Sequence, residues 1–116
     1  MKTITLIAPK KNNDGEDMTT QIANLENYII DTFGGFTSQD VRGAWKDNGT
    51  IYYDESISYT IATEKFNTEQ AWKLISDILI EFEQKAVCYG VGSEVFFASS
   101  LPIDFDDENW VKEFNK

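Results

Sequence analysis

The sequence predicts an α+β domain of the ferredoxin-like kind, β-α-β-β-α-β: a four-stranded antiparallel sheet, two helices on one face, and an acidic C-terminal tail. Three observations predict it. Apolar residues recur at helical spacing in 22–33 and again in 72–82. Apolar and polar residues alternate in the stretches between and around these two. An Asn48-Gly49 pair separates two strand-like runs, the strongest short-range signal for a hairpin. Each helix then joins two strands, and right-handed crossovers place both helices on the same side of the sheet. The expected division is one domain over residues 1–100 and an acidic, aromatic tail over 101–116.

In chain order, residues 3–8 form a β-rich run that Pro9 ends. Residues 10–17, KKNNDGED, are polar and carry Asn-Asp-Gly turn chemistry. Asn12, Asp14 and Glu16 hold a fragment of a calcium-loop spacing, but no complete loop follows, so a surface loop is expected. Thr19 or Thr20 is expected to cap the first helix, whose buried stripe is Ile22, Leu25, Tyr28, Ile29 and Phe33. Gly34-Gly35 ends it, because glycine takes without a clash the left-handed conformation that commonly closes a helix.

Residues 41–46 and 51–63 then pair across Asp47-Asn48-Gly49-Thr50. In the second of these strands Ile51, Tyr53, Ile57, Tyr59 and Ile61 share one parity and are expected on the buried face. Asp54, Ser56, Ser58 and Thr60 share the wetter one. Glu55 breaks the buried parity and is expected at a bulge, or reaching to Arg42 or Lys46.

Asn67 or Thr68 caps the second helix, with Glu69 in its first turn and Trp72, Ile75, Ile78, Leu79 and Phe82 as its buried stripe. Residues 86–98 return as one strand, bent at Gly92-Ser93 and ended by Pro102. Among the acidic residues of 104–116 stand Phe105, Trp110, Val111 and Phe114, a short helix whose apolar side docks on the sheet or on another chain. An open apolar sheet face is a liability in water, so a homodimer or a tail-covered sheet is expected.

One pattern extends over residues 3–98. Phe33-Gly34-Gly35-Phe36-Thr37 is followed by Gly43-Ala44-Trp45, with Asn13-Asp14-Gly15 upstream and Glu94 in the last strand. This resembles a group of small, mostly uncharacterised phage, plasmid and bacterial proteins that carry GG-aromatic-T…G-x-W. The resemblance implies a phage or mobile-element origin, and with it a small acidic protein that binds and inhibits host machinery, above all a defence protein. It implies no mechanism.

Composition narrows the function classes. The 116 residues carry a net charge of −10, from 20 acidic and 10 basic side chains, which disfavours nucleic acid and suits a basic protein surface. No stretch has the apolar length of a membrane span or a secretory signal, so a cytoplasmic protein is expected, in the host cytoplasm if phage-encoded. There is no histidine, and one cysteine, Cys88, so no metal, cofactor or histidine-activated nucleophile is expected. The carboxylates of Asp54 and Glu55 point to opposite faces of a strand and make no close pair. The glycine pairs lack both the phosphate-loop lysine and the dinucleotide spacing.

The function expected on these grounds is a non-enzymatic acidic interaction protein. Asp106, Asp107 and Glu108 would steer a basic partner and Trp110 would anchor it. The alternative is a small-ligand or nucleotide-binding module in which Arg42, Trp45, Tyr52 or Tyr53, and Glu55 meet on the hairpin, with Tyr53 preferred, a guanidinium beside aromatic faces. A small enzyme with tyrosines or carboxylates as proton carriers ranks behind both, for want of histidine and of any catalytic motif.

Overall fold

Alternation along the first strand sets the two sides of the molecule. In β1 (Lys2–Pro9) the side chains of Ile4, Leu6 and Ala8 are buried, while Thr3, Thr5 and Ile7 point the other way. The structure, a computed structural model, describes residues 1–84, 86–99 and 107–116. After β1 come α1 (Thr19–Phe33), β2 (Thr37–Asp47), β3 (Thr50–Thr63) and α2 (Thr68–Ser76), which runs into a π-helical turn, Asp77–Glu81. Then follow β4 (Ala86–Val91), β5 (Glu94–Ser99) and α3 (Asp107–Asn115). The strands form one antiparallel sheet in the order β2-β3-β1-β4-β5.

The four-stranded, two-helix ferredoxin-like layout expected from the sequence is therefore not what forms. Its error lies at Gly92. That residue has φ +57, and the chain does not bend there but reverses, pairing Val91 with Glu94 and Ala86 with Ser99. One expected strand becomes two. Gly90, in the same stretch, has no room for a side chain: a Cβ would collide with the carbonyl oxygen of Glu94.

The C-terminal residues supply a third helix, so the tail is part of the domain's core. Trp110 is fully buried, donates from Nε1 to the carbonyl of Gly90 at 3.1 Å, and packs against Tyr89 and Phe66. Lys2 Nζ donates to the carbonyl of Phe114, fixing the end of α3 to the start of β1. Leu25 and Ile29 of α1, Leu74 and Ile75 of α2, and Trp110 and Phe114 of α3 share one core with Ile4, Leu6, Tyr59, Ile61, Val87 and Tyr89. These contacts put all three helices on one face of the sheet.

Helix ends follow local chemistry with one exception. Asn67 and Gln70 form a reciprocal capping box at the start of α2, satisfying two backbone donors. Gly34 closes α1 with φ 93, its N–H donating to the carbonyl of Ile30 at 2.9 Å. The exception is the start of α1, where neither Thr19 nor Thr20 caps. The position belongs to Met18, which makes no side-chain cap but is buried in the core. Packing of that side chain fixes the entry and leaves the threonines inside the first turn.

The β2–β3 hairpin is the longest feature. Asn48 (φ 51) and Gly49 (φ 82) both take positive φ, as a two-residue turn of this hand requires. Pairing of β2 with β3 runs from Thr37↔Thr60 to Asp47↔Thr50, but β1 accompanies β3 only as far as Pro9↔Ser56. The hairpin's far end thus projects past β1 and past the helices. This corrects the expected buried face: Tyr59 and Ile61 are 0% exposed, whereas Ile51 and Tyr53, on the same parity, are 56% and 61% exposed. Among the described residues no helix is long and apolar enough to cross a membrane.

Candidate functional site

Where β1 stops, a cleft of about 760 Å³ opens between the projecting hairpin, the loop after Pro9 and the start of β4. The hairpin contributes Trp45, Tyr52, Tyr53, Asp54 and Glu55; the loop contributes Lys11, Asn12, Asn13 and Gly15. Ile7, Gln84 and Cys88 line the floor.

The loop is built around one amide. Asn12 is only 8% exposed, and its Oδ1 accepts from the backbone N–H groups of Asp14 and Glu16, each at 2.9 Å. Its Nδ2 donates to Glu16 Oε1 at 3.1 Å and to Glu83 Oε2 at 3.0 Å. Asn12 Oδ1 is thereby committed to its own loop, so the calcium-like spacing noted in the sequence serves a turn. The tie to Glu83 has a backbone counterpart, for Glu83 is left-handed at φ 55, an uncommon conformation outside glycine. It stands two residues past the end of the π-helical turn, an irregularity that recurs at functional sites. Lys10 bridges the loop to β2 through Asp40 Oδ1 at 3.0 Å.

On the hairpin, register decides which side chains meet. Trp45 lies opposite Tyr52, and their rings stack at 4.6 Å with an interplanar angle of 21°. Trp45 Nε1 donates to Asp54 Oδ2 at 3.0 Å. These three residues share the face turned away from the helices. On the other face Arg42 lies over the ring of Tyr53, its Cζ 4.8 Å from the centroid, and Glu55 stands opposite Arg42 across the ladder. The expected set Arg42, Trp45, Tyr53 and Glu55 is thus brought to one hairpin end but divided between its two faces. Tyr52 and Asp54, not Tyr53 and Glu55, are the neighbours of Trp45. Counting outward from the Asn48-Gly49 turn identifies Tyr52, since Trp45 and Tyr52 are equidistant from it; Asp54, opposite Gly43, is the diagonal neighbour of Trp45 on the same face.

Other titratable groups lie apart or are less distinctive. Burial pushes the thiol of half-buried Cys88 up. Tyr59 sits on the helix side of the sheet and donates to Glu26 Oε2 at 2.7 Å; burial first, and that hydrogen bond second, hold its hydroxyl well above the usual tyrosine range. Of the residues expected to bind a partner, Asp106 lies outside the described residues, and Asp107 and Glu108 open α3. Trp110 is enclosed in the core and presents nothing to a partner.

No protein-family model matches the chain, and no curated protein sequence matches it significantly. Its fold is similar to two solved structures. One is described as a phage SAM lyase in complex with S-methyl-5'-thioadenosine, with a TM-score of 0.65 and 13% identity, covering 85% of this chain and 89% of that one. The other is a phage SAM lyase in its apo state, with a TM-score of 0.63 and 12% identity, covering 86% and 90%. The expectation of a non-enzymatic binder that inhibits a host protein does not stand beside this likeness. The fold is one that carries an enzyme in both neighbours, and the anchor assigned to a partner is part of the protein's own core.

Proposed function

We propose that the chain is an enzyme that cleaves S-adenosylmethionine, a lyase releasing S-methyl-5'-thioadenosine, with the cleft beside the hairpin as its site. The observation that carries this reading is the Trp45–Tyr52 stack with Asp54 bound to its edge, held in the open on a hairpin that the core does not need. The substrate is a sulfonium cation. An aromatic face attracts a cation through its quadrupole, and a carboxylate beside it adds to the attraction. The net charge of −10 favours approach of such a substrate over the anionic nucleotides that other clefts bind. A volume of about 760 Å³ suits a ligand of this size.

The chemistry also removes the ground on which the sequence argued against an enzyme. S-methyl-5'-thioadenosine forms when the substrate's own ionised carboxylate attacks the carbon bound to sulfur, closing the aminobutyrate chain into a lactone while the carbon–sulfur bond breaks and its electron pair returns to sulfur. The leaving thioether is neutral and takes no proton, so this step requires no histidine acid. A histidine-free chain is excluded from histidine-dependent catalysis, not from a reaction whose substrate carries its own leaving group. Such a substrate suits activity in a cytoplasm, that of a host cell if the chain is phage-encoded.

The test is incubation of the purified chain with S-adenosylmethionine, followed by mass-spectrometric quantification of S-methyl-5'-thioadenosine against a protein-free control. Product formed in proportion to protein supports the reading. Formation at the control rate, with no calorimetric binding of the product, overturns it.

A further inference from the structure

The free edge of β3 offers the cleft backbone groups as well as side chains. In an antiparallel ladder each residue turns its N–H and C=O to one side, and successive residues alternate sides. Two observations fix the phase of β3. The Asn48-Gly49 loop has two residues, so the flanking Asp47–Thr50 pair is hydrogen-bonded within the hairpin, and Tyr52 and Asp54 then also bond toward β2. From the opposite side the N–H of Lys10 donates to the C=O of Glu55 at 3.1 Å. Ile51, Tyr53 and Glu55 therefore turn their backbone groups away from β2. Further along, Ile57, Tyr59 and Ile61 turn the same way and meet β1, but β1 pairs no further than Pro9↔Ser56. Among the described residues no backbone partner meets the C=O of Tyr53 or the N–H of Glu55, which are left neighbours on a strand edge, and both residues line the cleft.

We infer that this doublet reads the base of the bound ligand as adenine, the Tyr53 C=O accepting from N6–H and the Glu55 N–H donating to N1. The inference rests on the proposed reading of the cleft as an adenosyl site. A strand's C=O at one residue and N–H two residues on present an acceptor and a donor side by side. Adenine presents the complementary donor and acceptor on its Watson–Crick edge. Hypoxanthine and guanine present the reverse, acceptor at position 6 and donor at N1, and would set like against like. Recognition of this kind needs no particular side chain at 53 or 55, so it leaves no motif in the sequence.

The test is calorimetric titration of the whole chain with S-methyl-5'-thioadenosine, its 7-deaza and 1-deaza analogues, and S-methyl-5'-thioinosine. The first two are expected to bind alike, the 1-deaza analogue about tenfold more weakly, and the thioinosine about a hundredfold more weakly. Glu55→Pro removes the cleft-facing N–H while leaving the ladder to β2, a position where a strand tolerates proline; Glu55→Ala removes only the side chain. The proline variant should bind S-methyl-5'-thioadenosine about tenfold more weakly than the alanine variant, and should no longer distinguish the 1-deaza analogue. Should Glu55→Pro fail to fold, the analogue series on the unaltered chain decides. Equal affinity for all four ligands overturns base reading by this edge and leaves the lyase reading standing. Equal affinity together with self-association that Glu55→Pro abolishes assigns the edge to a second copy of the chain instead. Binding of none of them overturns both.

Discussion

β3 is one strand with two fates. Over residues 57–63 its alternate side chains Ile57, Tyr59 and Ile61 face the helices, with Tyr59 and Ile61 fully enclosed. Over residues 50–55 the same alternation continues through Ile51, Tyr53 and Glu55, which stay exposed with only Arg42 of the described residues laid over the ring of Tyr53. The chemistry of the two halves is alike: a tyrosine and an isoleucine on each. What differs is the neighbourhood. β1 and the helical layer accompany the first half and stop short of the second. On the proposed reading, the half-exposed rings of Trp45 and Tyr52 on the opposite face of this half, held in order by the ladder and by Asp54, are surface kept for a ligand. The packed half belongs to the core, and the projecting half lines the cleft proposed as the site.

The largest effects should come from the packed half. Tyr59→Ala and Trp110→Ala each remove a fully buried ring and should lower the unfolding free energy by about 3–5 kcal/mol in urea titrations. A loss below about 1 kcal/mol for Trp110→Ala would mean that α3 is not part of the stabilising core. Gly49→Ala at the hairpin tip should cost about 1 kcal/mol, because φ 82 suits glycine alone, and should weaken ligand binding through the displaced stack above it.

A smaller effect has a pH signature. The hydroxyl of Tyr59 ionises less readily folded than unfolded, so the folded form holds its proton more tightly. Its contribution is fully present below the ordinary tyrosine value near 10 and is lost as pH rises beyond it. Unfolding free energy should therefore fall with rising pH above about 10, and Tyr59→Phe should flatten that fall. Tyr28 and Cys88, also raised chiefly by burial, keep a residual slope in the variant. An unchanged slope would remove Tyr59 from the account. Smallest of all is Tyr53→Ala, on the same parity six residues away. It should change stability by no more than about 1 kcal/mol, the scale of its exposed contact with Arg42.

Much of this was legible in the chain. Asn48-Gly49 announced the hairpin because few residues accept positive φ, Gly34 announced the end of α1 for the same reason, and Asn67 announced the start of α2. Two things were not legible. Gly92 looks the same in a bent strand as in a reversal, and only pairing of β5 with β4 decides between them. Alternation along β3 tells which side chains share a face but not where the core ends, since that depends on the length of β1. The same gap misplaced Trp110: an aromatic among acidic residues reads as an exposed anchor until Phe66, Tyr89 and the carbonyl of Gly90 are seen around it. At the site, Trp45 was visible as an unusual residue and Tyr52 as one of two candidate tyrosines; register decides between the two and brings Asp54 to the indole edge.

The most direct test of the division between the two halves is the rate of S-methyl-5'-thioadenosine formation from S-adenosylmethionine by the unaltered chain and by Trp45→Ala, with urea midpoints measured on the same samples. Product is expected from the unaltered chain, formation at least about tenfold slower in the variant, and unfolding free energies within about 1 kcal/mol of each other. Equal rates in the two, or no product from the unaltered chain, would contradict this expectation.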